Sequence, residues 1–471
     1  MPARLIDALA TTEPLAELFS NQSVLEAMLD FEAALARAEA RLGIIPQSAA
    51  DAISAAAVAS NFDPAVLAHD TLRAGTPGIP IAKALTDRVR STNPVAAAFV
   101  HWGATSQDVA DTALVLLLKR AQALLDADLE KTEQALTQLS NQHANTVMLG
   151  RTLLQAAPPI TFGLKAAGWQ AAVRRGRRRL KHSFTDALVL QFGGATGTLA
   201  ALGDQGLAVS QALAEELGLA HPEAPWHSHR DRLGALVCAC AIATGTLGKM
   251  ARDISLLMQN EVGEAAEPGG YGRGGSSTMP HKRNPIGCAV TLAAANRTPG
   301  LAASFLYGMI QEHERGLGGW QAEWPTVSSL IQATGLAAAS MAEVTTGLTV
   351  EPARMRANLD ATRGVVFAER AMILLGKALG LDEAHRLLEE AARESAEKGL
   401  RLTEVLAAMP EITKHLDARE IQGLDDAQQY LGSAEGFRQR QLRAELPLGP
   451  TKPKPTRQKP AKQEPAKQQK E

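Results

Sequence analysis

The sequence predicts an all-α protein organised on a central bundle of long helices. After Gly103 no Gly or Pro occurs until Gly150, and Leu114, Leu117, Ala121, Leu124, Leu125 and Leu129 recur through that stretch at helical spacing. At about 1.5 Å per residue it reads as one helix of roughly 60 Å. Alanine is abundant and aromatic residues make up only 4%, a mix that suits helices packed closely through small side chains. No run reads as a convincing strand, and no repeat of about 20–50 residues stands out.

A chain of 471 residues, 45% hydrophobic and 21% charged, has room for two or three domains with ample core. The pattern divides it into helical regions at 1–105, 106–350 and 351–446. A tail at 447–471 is dominated by Pro, Lys and Gln and cannot bury a core, so it reads as disordered and solubilising. The net charge of -2 argues against nucleic-acid binding by bulk electrostatics. Cys238, Cys240 and Cys288 make no disulfide framework and read as core thiols of a reducing compartment. The N-terminus lacks a basic-then-apolar leader. No stretch reads as apolar and long enough to span a membrane. The expectation is a cytoplasmic protein without membrane or nucleic-acid partners.

In chain order, Ser23, Val24, Leu25, Met28, Leu29, Phe31, Ala34, Leu35 and Ala38 mark a helix that Gly43 stops. Shorter helices follow to residue 95, broken by Thr76-Pro77-Gly78-Ile79-Pro80, which is either a connector or a piece of site wall. His101-Trp102-Gly103-Ala104-Thr105-Ser106-Gln107-Asp108 opens the long helix, with Thr105 and Ser106 at N-cap positions and Asp108 and Asp111 suited to the first turn. Gly150-Arg151-Thr152-Leu153-Leu154-Gln155 reads as the start of the next helix, which runs into Arg174-Arg175-Gly176-Arg177-Arg178-Arg179 on a solvated C-terminal face. His227 and His229 have no metal-ligand spacing to a third group and read as capping or core residues before a helix to about Val262. Glu312-His313-Glu314-Arg315-Gly316 and Trp320-Gln321-Ala322-Glu323-Trp324 interrupt a later apolar stretch, as an ordinary polar turn or as a pocket rim at the bundle end.

The most informative stretch is Gly269 to Pro285, GGYGRGGSSTMPHKRNP, with five glycines in seven residues and then hydroxyls beside cations. Glycines let backbone N–H groups approach a ligand, and hydroxyls with cations suit an anion. Asn284 as N-cap with Pro285 at N1 predicts a helix start that would receive the anion on free N–H groups. Three segments, His101–Gln107, Thr152–Gln155 and Ser276–Asn284, thus place donors at helix starts that a bundle can assemble. Such a site is rich in donors, poor in carboxylates and without metal ligands or a cofactor motif, so neither cofactor nor metal is expected. It fits a small polycarboxylate and proton transfer beside a carboxylate, with the donors stabilising an enolate-like intermediate.

GSSTMPHKRNP closely resembles the family motif of the fumarase/aspartase superfamily, and the segments at 101–108 and 150–155 resemble its two other regions in the same order. The resemblance covers residues 5 to 440. It implies a three-domain all-α fold around a central long-helix bundle, and a homotetramer whose active sites are shared between subunits. It implies Ser276 as the mobile acid/base, although spacing alone leaves Ser277 open, with Lys282 as a rival proton donor. Asn284 and Lys282 would hold carboxylate and intermediate, and His101, Thr105, Ser106, Thr152, Gln155 and Arg315 would bind substrate.

Two branches of the family compete. An adenylosuccinate-type C–N lyase expects a histidine where this chain has Leu153, and an Arg-His-Asp element where it has Thr76–Pro80. Four segments, FEAALARAEARLGIIP, RTLLQAAPPITFGLKAAGW, LQFGGATGTLAALG with PWHSHRDR, and ERGLGGWQAEW, resemble a cycloisomerase branch that closes a lactone on a small tricarboxylate. Expelling an amine needs an acid at the leaving group. Lactonisation uses the substrate's own carboxylate and needs none, so Leu153 is compatible with it. A retained scaffold without activity is the third reading.

Overall fold

The computed structural model describes residues 5–270, 274–275, 279 and 282–443; the tail at 447–471 and the loop residues Ser276, Ser277, Thr278 and His281 lie outside them. The described residues are overwhelmingly helical. The N-terminal helices are α1 (Glu13–Leu18), α2 (Asn21–Arg41), α3 (Gln47–Ala56), α4 (Pro64–Ala74) and α5 (Gly78–Thr92). Then come α6 (Ser106–Gln142), a hairpin of β1 (Val147–Thr152) and β2 (Gln155–Thr161), α7 (Phe162–Ala187), α8 (Gly206–Leu217) and α9 (Asp231–Leu257). The two-residue strand β3 (Ala265–Ala266), α10 (Ile286–Gly308), α11 (Gly319–Thr346) and the strand β4 (Thr349–Val350) follow. The chain continues through α12 (Pro352–Asp360), α13 (Ala368–Leu379), α14 (Leu381–Lys398), α15 (Leu402–Ala408), α16 (Pro410–Thr413), α17 (Ala418–Gln422) and α18 (Ala434–Arg443).

Helices α6, α7, α9, α10 and α11 pack on one another as a bundle. Their directions follow from end contacts. The start of α9 is tied to the start of α6, because His227 and Arg230 bond Asp108 and Asp111. Past the other ends, Glu264 holds Arg151. Helices α6 and α9 therefore run parallel. Helix α10 returns, so that Met309 packs on Gly234 in the first turn of α9, and α11 turns back beside Gly308 and ends at Pro268. One core cluster runs from Leu15 to Met355 and a second, smaller one from Ala371 to Leu424.

Several expectations are corrected. Residues 147–161 form an antiparallel hairpin, not a helix start, and β3 pairs with β4. Leu153 and Leu154 make the two-residue turn at φ 50° and 65°, the left-handed geometry that matches strand twist in tight hairpins. Pro158 and Pro159 are tolerated because a two-stranded ribbon has free edges. The Arg174–Arg179 run lies within α7, not at its end. Arg177 pairs with Asp126, and Arg174 donates to the carbonyls of Gln441 and Leu442 at the end of α18. Trp320 to Trp324 are part of α11, not an interruption. One helix, α9, is long and apolar enough to cross a membrane, contrary to expectation. However, 61% of its most apolar window is buried within the protein, against α7, α10 and α11. Cys240 sits inside that helix, its thiol pushed up to about 12 by burial.

Candidate active site

A cleft of about 600 Å³ opens at the start of α6, lined by Thr76, Ile79, His101, Thr105, Ser106, Gln107, Arg315 and Trp320 among others. Four of the predicted substrate-binding residues therefore meet: His101, Thr105, Ser106 and Arg315. The Thr76–Pro80 stretch is wall as well as connector, its last three residues forming the first turn of α5. Close approach is possible because position 78 is glycine; a Cβ there would lie 2.6 Å from the Ser106 carbonyl oxygen. Arg315, in the 309–318 loop, donates to Thr105 Oγ1 at 2.7 Å and reaches Ser106 Oγ at 3.5 Å. His101 takes φ 60° and its Nδ1 lies 2.7 Å from Glu32 Oε1.

Behind this wall lie buried ion pairs. Asp108 Oδ2 accepts from the Thr105 N–H at 3.0 Å, and the two carboxylate oxygens accept from Gly193 N–H, Gly194 N–H and His227. His227, read as a capping or core residue, is a buried partner of Asp108. Arg230 is fully buried and donates to both Asp111 and Glu323, while Trp320 Nε1 donates to Asp111 and Gln311 to Glu323. Trp226 stacks 4.6 Å from the guanidinium. Burial pushes Glu323 up to about 7 even though Arg230 pulls it down. These groups lock the starts of α6, α9 and α11 together, and with them the placement of Thr105, Ser106 and Trp320.

The other described candidates sit at the opposite end of the bundle. Helix α6 has 37 residues and so is about 55 Å long; the cleft is at its start and the hairpin just past its end. Thr152 and Gln155 pair across the hairpin tip and are exposed, as is Leu153 at 96%. Arg151 in β1 forks onto buried Glu264 at 2.7 and 2.8 Å. Lys282 is exposed, and the Asn284 N–H donates to the Gly274 carbonyl at 2.9 Å, on the loop leading into α10 at this same end. The helix there begins at Ile286 with Pro285 at the cap, one residue later than predicted. Its first N–H groups are not free for an anion. Glu267 accepts from Gly287 N–H at 3.0 Å and Cys288 N–H at 2.7 Å, because a carboxylate neutralises the helix N-terminus as an external anion would. Among the described residues, no one copy of the chain brings groups of the three donor segments together.

Sequence reasoning passed over Glu32, gave no individual role to Arg230 or Glu323, and read Asp111 as a first-turn acid where the structure buries it against Arg230. A signal for Glu32 was present: with Glu39 it falls on the stripe 25, 28, 32, 35, 39, whose other members Leu25, Met28 and Leu35 are core.

Residues 8–300 match the family described as Lyase, and residues 364–440 match the one described as Adenylosuccinate lyase C-terminus. A 3-carboxy-cis,cis-muconate cycloisomerase of Bradyrhizobium diazoefficiens is 49% identical over 90% of this chain and 94% of the relative. A nitrosuccinate lyase of Streptomyces davaonensis is 42% identical over 92% of this chain and 93% of its own length. The crystal structure of 3-carboxy-cis,cis-muconate lactonizing enzyme from Pseudomonas putida superposes with a TM-score of 0.88 at 45% identity, covering 93% of this chain and 98% of that one. The chain belongs to the lyase family of the fumarase/aspartase superfamily, and its all-α bundle is that family's fold.

Proposed function

We propose that this enzyme is a 3-carboxy-cis,cis-muconate cycloisomerase, acting in the cytoplasm on a small tricarboxylate during protocatechuate breakdown. The observation that carries this reading is the hairpin tip, where Leu153 offers no acid to a leaving group; the relatives at up to 49% identity point the same way. The four groups in the cleft and the four at the far end belong to one site only if copies of the chain share it, which favours a homotetramer with shared sites. There His101, Thr105, Ser106 and Arg315 of one copy, Thr152 and Gln155 of a second, and Ser276, Lys282 and Asn284 of a third enclose the substrate. One substrate carboxylate attacks the double bond, the C–O bond forms, and charge passes to the carbon beside a second carboxylate. Lys282 and loop N–H groups stabilise that enolate. Ser276 delivers one proton to carbon, with Ser277 and Lys282 as alternatives, so each lactone formed takes up one proton.

An adenylosuccinate-like C–N lyase is the second reading, favoured by the C-terminal match at residues 364–440. Absorbance assays of the purified protein separate them. Turnover of carboxymuconate is expected; turnover of adenylosuccinate alone would overturn the proposal. Ser276→Ala should abolish turnover, and near-normal turnover would remove Ser276 from its role.

A further inference from the structure

We infer that Glu32 is a positioning residue for this site: its buried carboxylate accepts the Nδ1–H of His101 and fixes the ring so that Nε2–H is the donor offered to a substrate carboxylate. Glu32 is 1% exposed, on the core stripe of α2. Its Oε1 meets Nδ1 at 2.7 Å, and Oε2 has no hydrogen-bond partner among the described residues. A carboxyl group buried at such a position requires a hydrogen-bonding partner, and His101 supplies it at the cleft surface. His101 adopts a left-handed backbone conformation seldom held by a non-glycine residue.

The charged groups around the ring are Glu32 from α2, Asp108 from the first turn of α6, and Arg315 from the 309–318 loop, with His227 beyond Asp108. Burial disfavours the imidazolium, but the charge and hydrogen bond of Glu32, with Asp108 adding, outweigh it, so His101 keeps its proton to higher pH than a free histidine. Two turns along α2, Glu39 is buried with neither oxygen partnered among the described residues, and burial with the Glu32 charge pushes it up to about 8. At neutral pH Glu39 is therefore protonated.

The inference rests on His101 belonging to the substrate site, and the test separates the two. In protein labelled with [13Cε1]histidine, the His101 resonance, identified by its loss in His101→Gln, should titrate above the ordinary histidine range. In Glu32→Gln it should move down by about one pH unit or more. Kinetically, Glu32→Gln should raise KM about tenfold with kcat nearly unchanged, and move the high-pH limb of kcat/KM to lower pH, by analogy with the loss of an outer-shell partner. In a His101→Gln background, Glu32→Gln should add nothing. An unmoved His101 titration, or additive KM effects, overturns the positioning role. If Glu32→Gln does not fold, a wild-type His101 that titrates at or below the ordinary range overturns it. If His101→Gln leaves KM unchanged, the site reading fails and the inference with it, whatever the titration shows.

Discussion

Replacing Arg230 by Met removes a guanidinium that makes five hydrogen bonds to Asp111 and Glu323, at 2.6 to 3.1 Å. Both carboxylates stay buried, with Trp320, Gln107 and Gln311 as their remaining donors. Breaking a buried pair from one side leaves uncompensated charge, and the cost is about 3–5 kcal/mol of unfolding free energy. Protonation offers the carboxylates an escape, which fixes the sign of the pH dependence. Glu323 is already raised to about 7, by burial and against the pull of Arg230; without Arg230 it rises further. Above the unfolded carboxyl pKa the folded variant then binds more protons than the unfolded chain, so its stability falls as pH rises. The penalty should therefore be larger at pH 8 than at pH 5.5. Denaturant unfolding followed by far-UV circular dichroism measures it, at one protein concentration because any subunit association would couple to unfolding. A loss below about 1 kcal/mol at pH 8, or equal losses at both pH values, would refute the reasoning.

Glu39→Gln tests the second buried carboxyl. The folded pKa of about 8 against an ordinary carboxyl value of 4.5 means that wild-type stability falls between those pH values, by about 1.4 kcal/mol per pH unit at most. The variant should flatten that fall and gain on wild type at pH 8.5; parallel pH curves would dismiss the assignment. Gly78→Ala should cost about 1–3 kcal/mol and raise KM by pushing α5 off the Ser106 wall. The comparison Gly436→Ala, exposed in α18 with nothing within 4 Å, should cost nothing. Arg315→Lys keeps the charge but loses the planar fork that spans Thr105 and Ser106. KM for carboxymuconate should rise about tenfold, and an unchanged KM would take Arg315 out of the site.

The bundle was legible because α6 and α9 carry their own evidence: leucine and alanine periodicity in both, and in α6 the absence of Gly and Pro, need no tertiary context. The hairpin was not. Its turn residues are Leu153 and Leu154, where a tight hairpin ordinarily announces itself with Asn or Gly at positive φ, and its second strand contains two prolines. The conformation is imposed from outside, by the Arg151–Glu264 fork and the packing of Leu149 with Leu359 and Phe367, none of which a local pattern reveals. The same limit applied to helix α10. Asn284-Pro285 located its start to within one residue, but what occupies its N–H groups is Glu267, seventeen residues before Asn284 and invisible to any capping rule read from adjacent positions.

The site was legible in its parts and not in its assembly, and the reason is geometric. Donor-rich segments before α6, at the hairpin and before α10 can be recognised one by one from residue type. Helix directions then decide which of them can meet. Because α6 runs about 55 Å from the first segment toward the second, and α10 begins at the hairpin end, the chain separates by its own architecture the groups that one small substrate would need together. A rigid bundle of this length cannot fold back to close the gap. A second copy laid antiparallel beside the first would set the start of one α6 against the hairpin of the other. In the proposed shared site the exposed Leu153 would face another chain's cleft, and the Arg230 network would hold that cleft in shape.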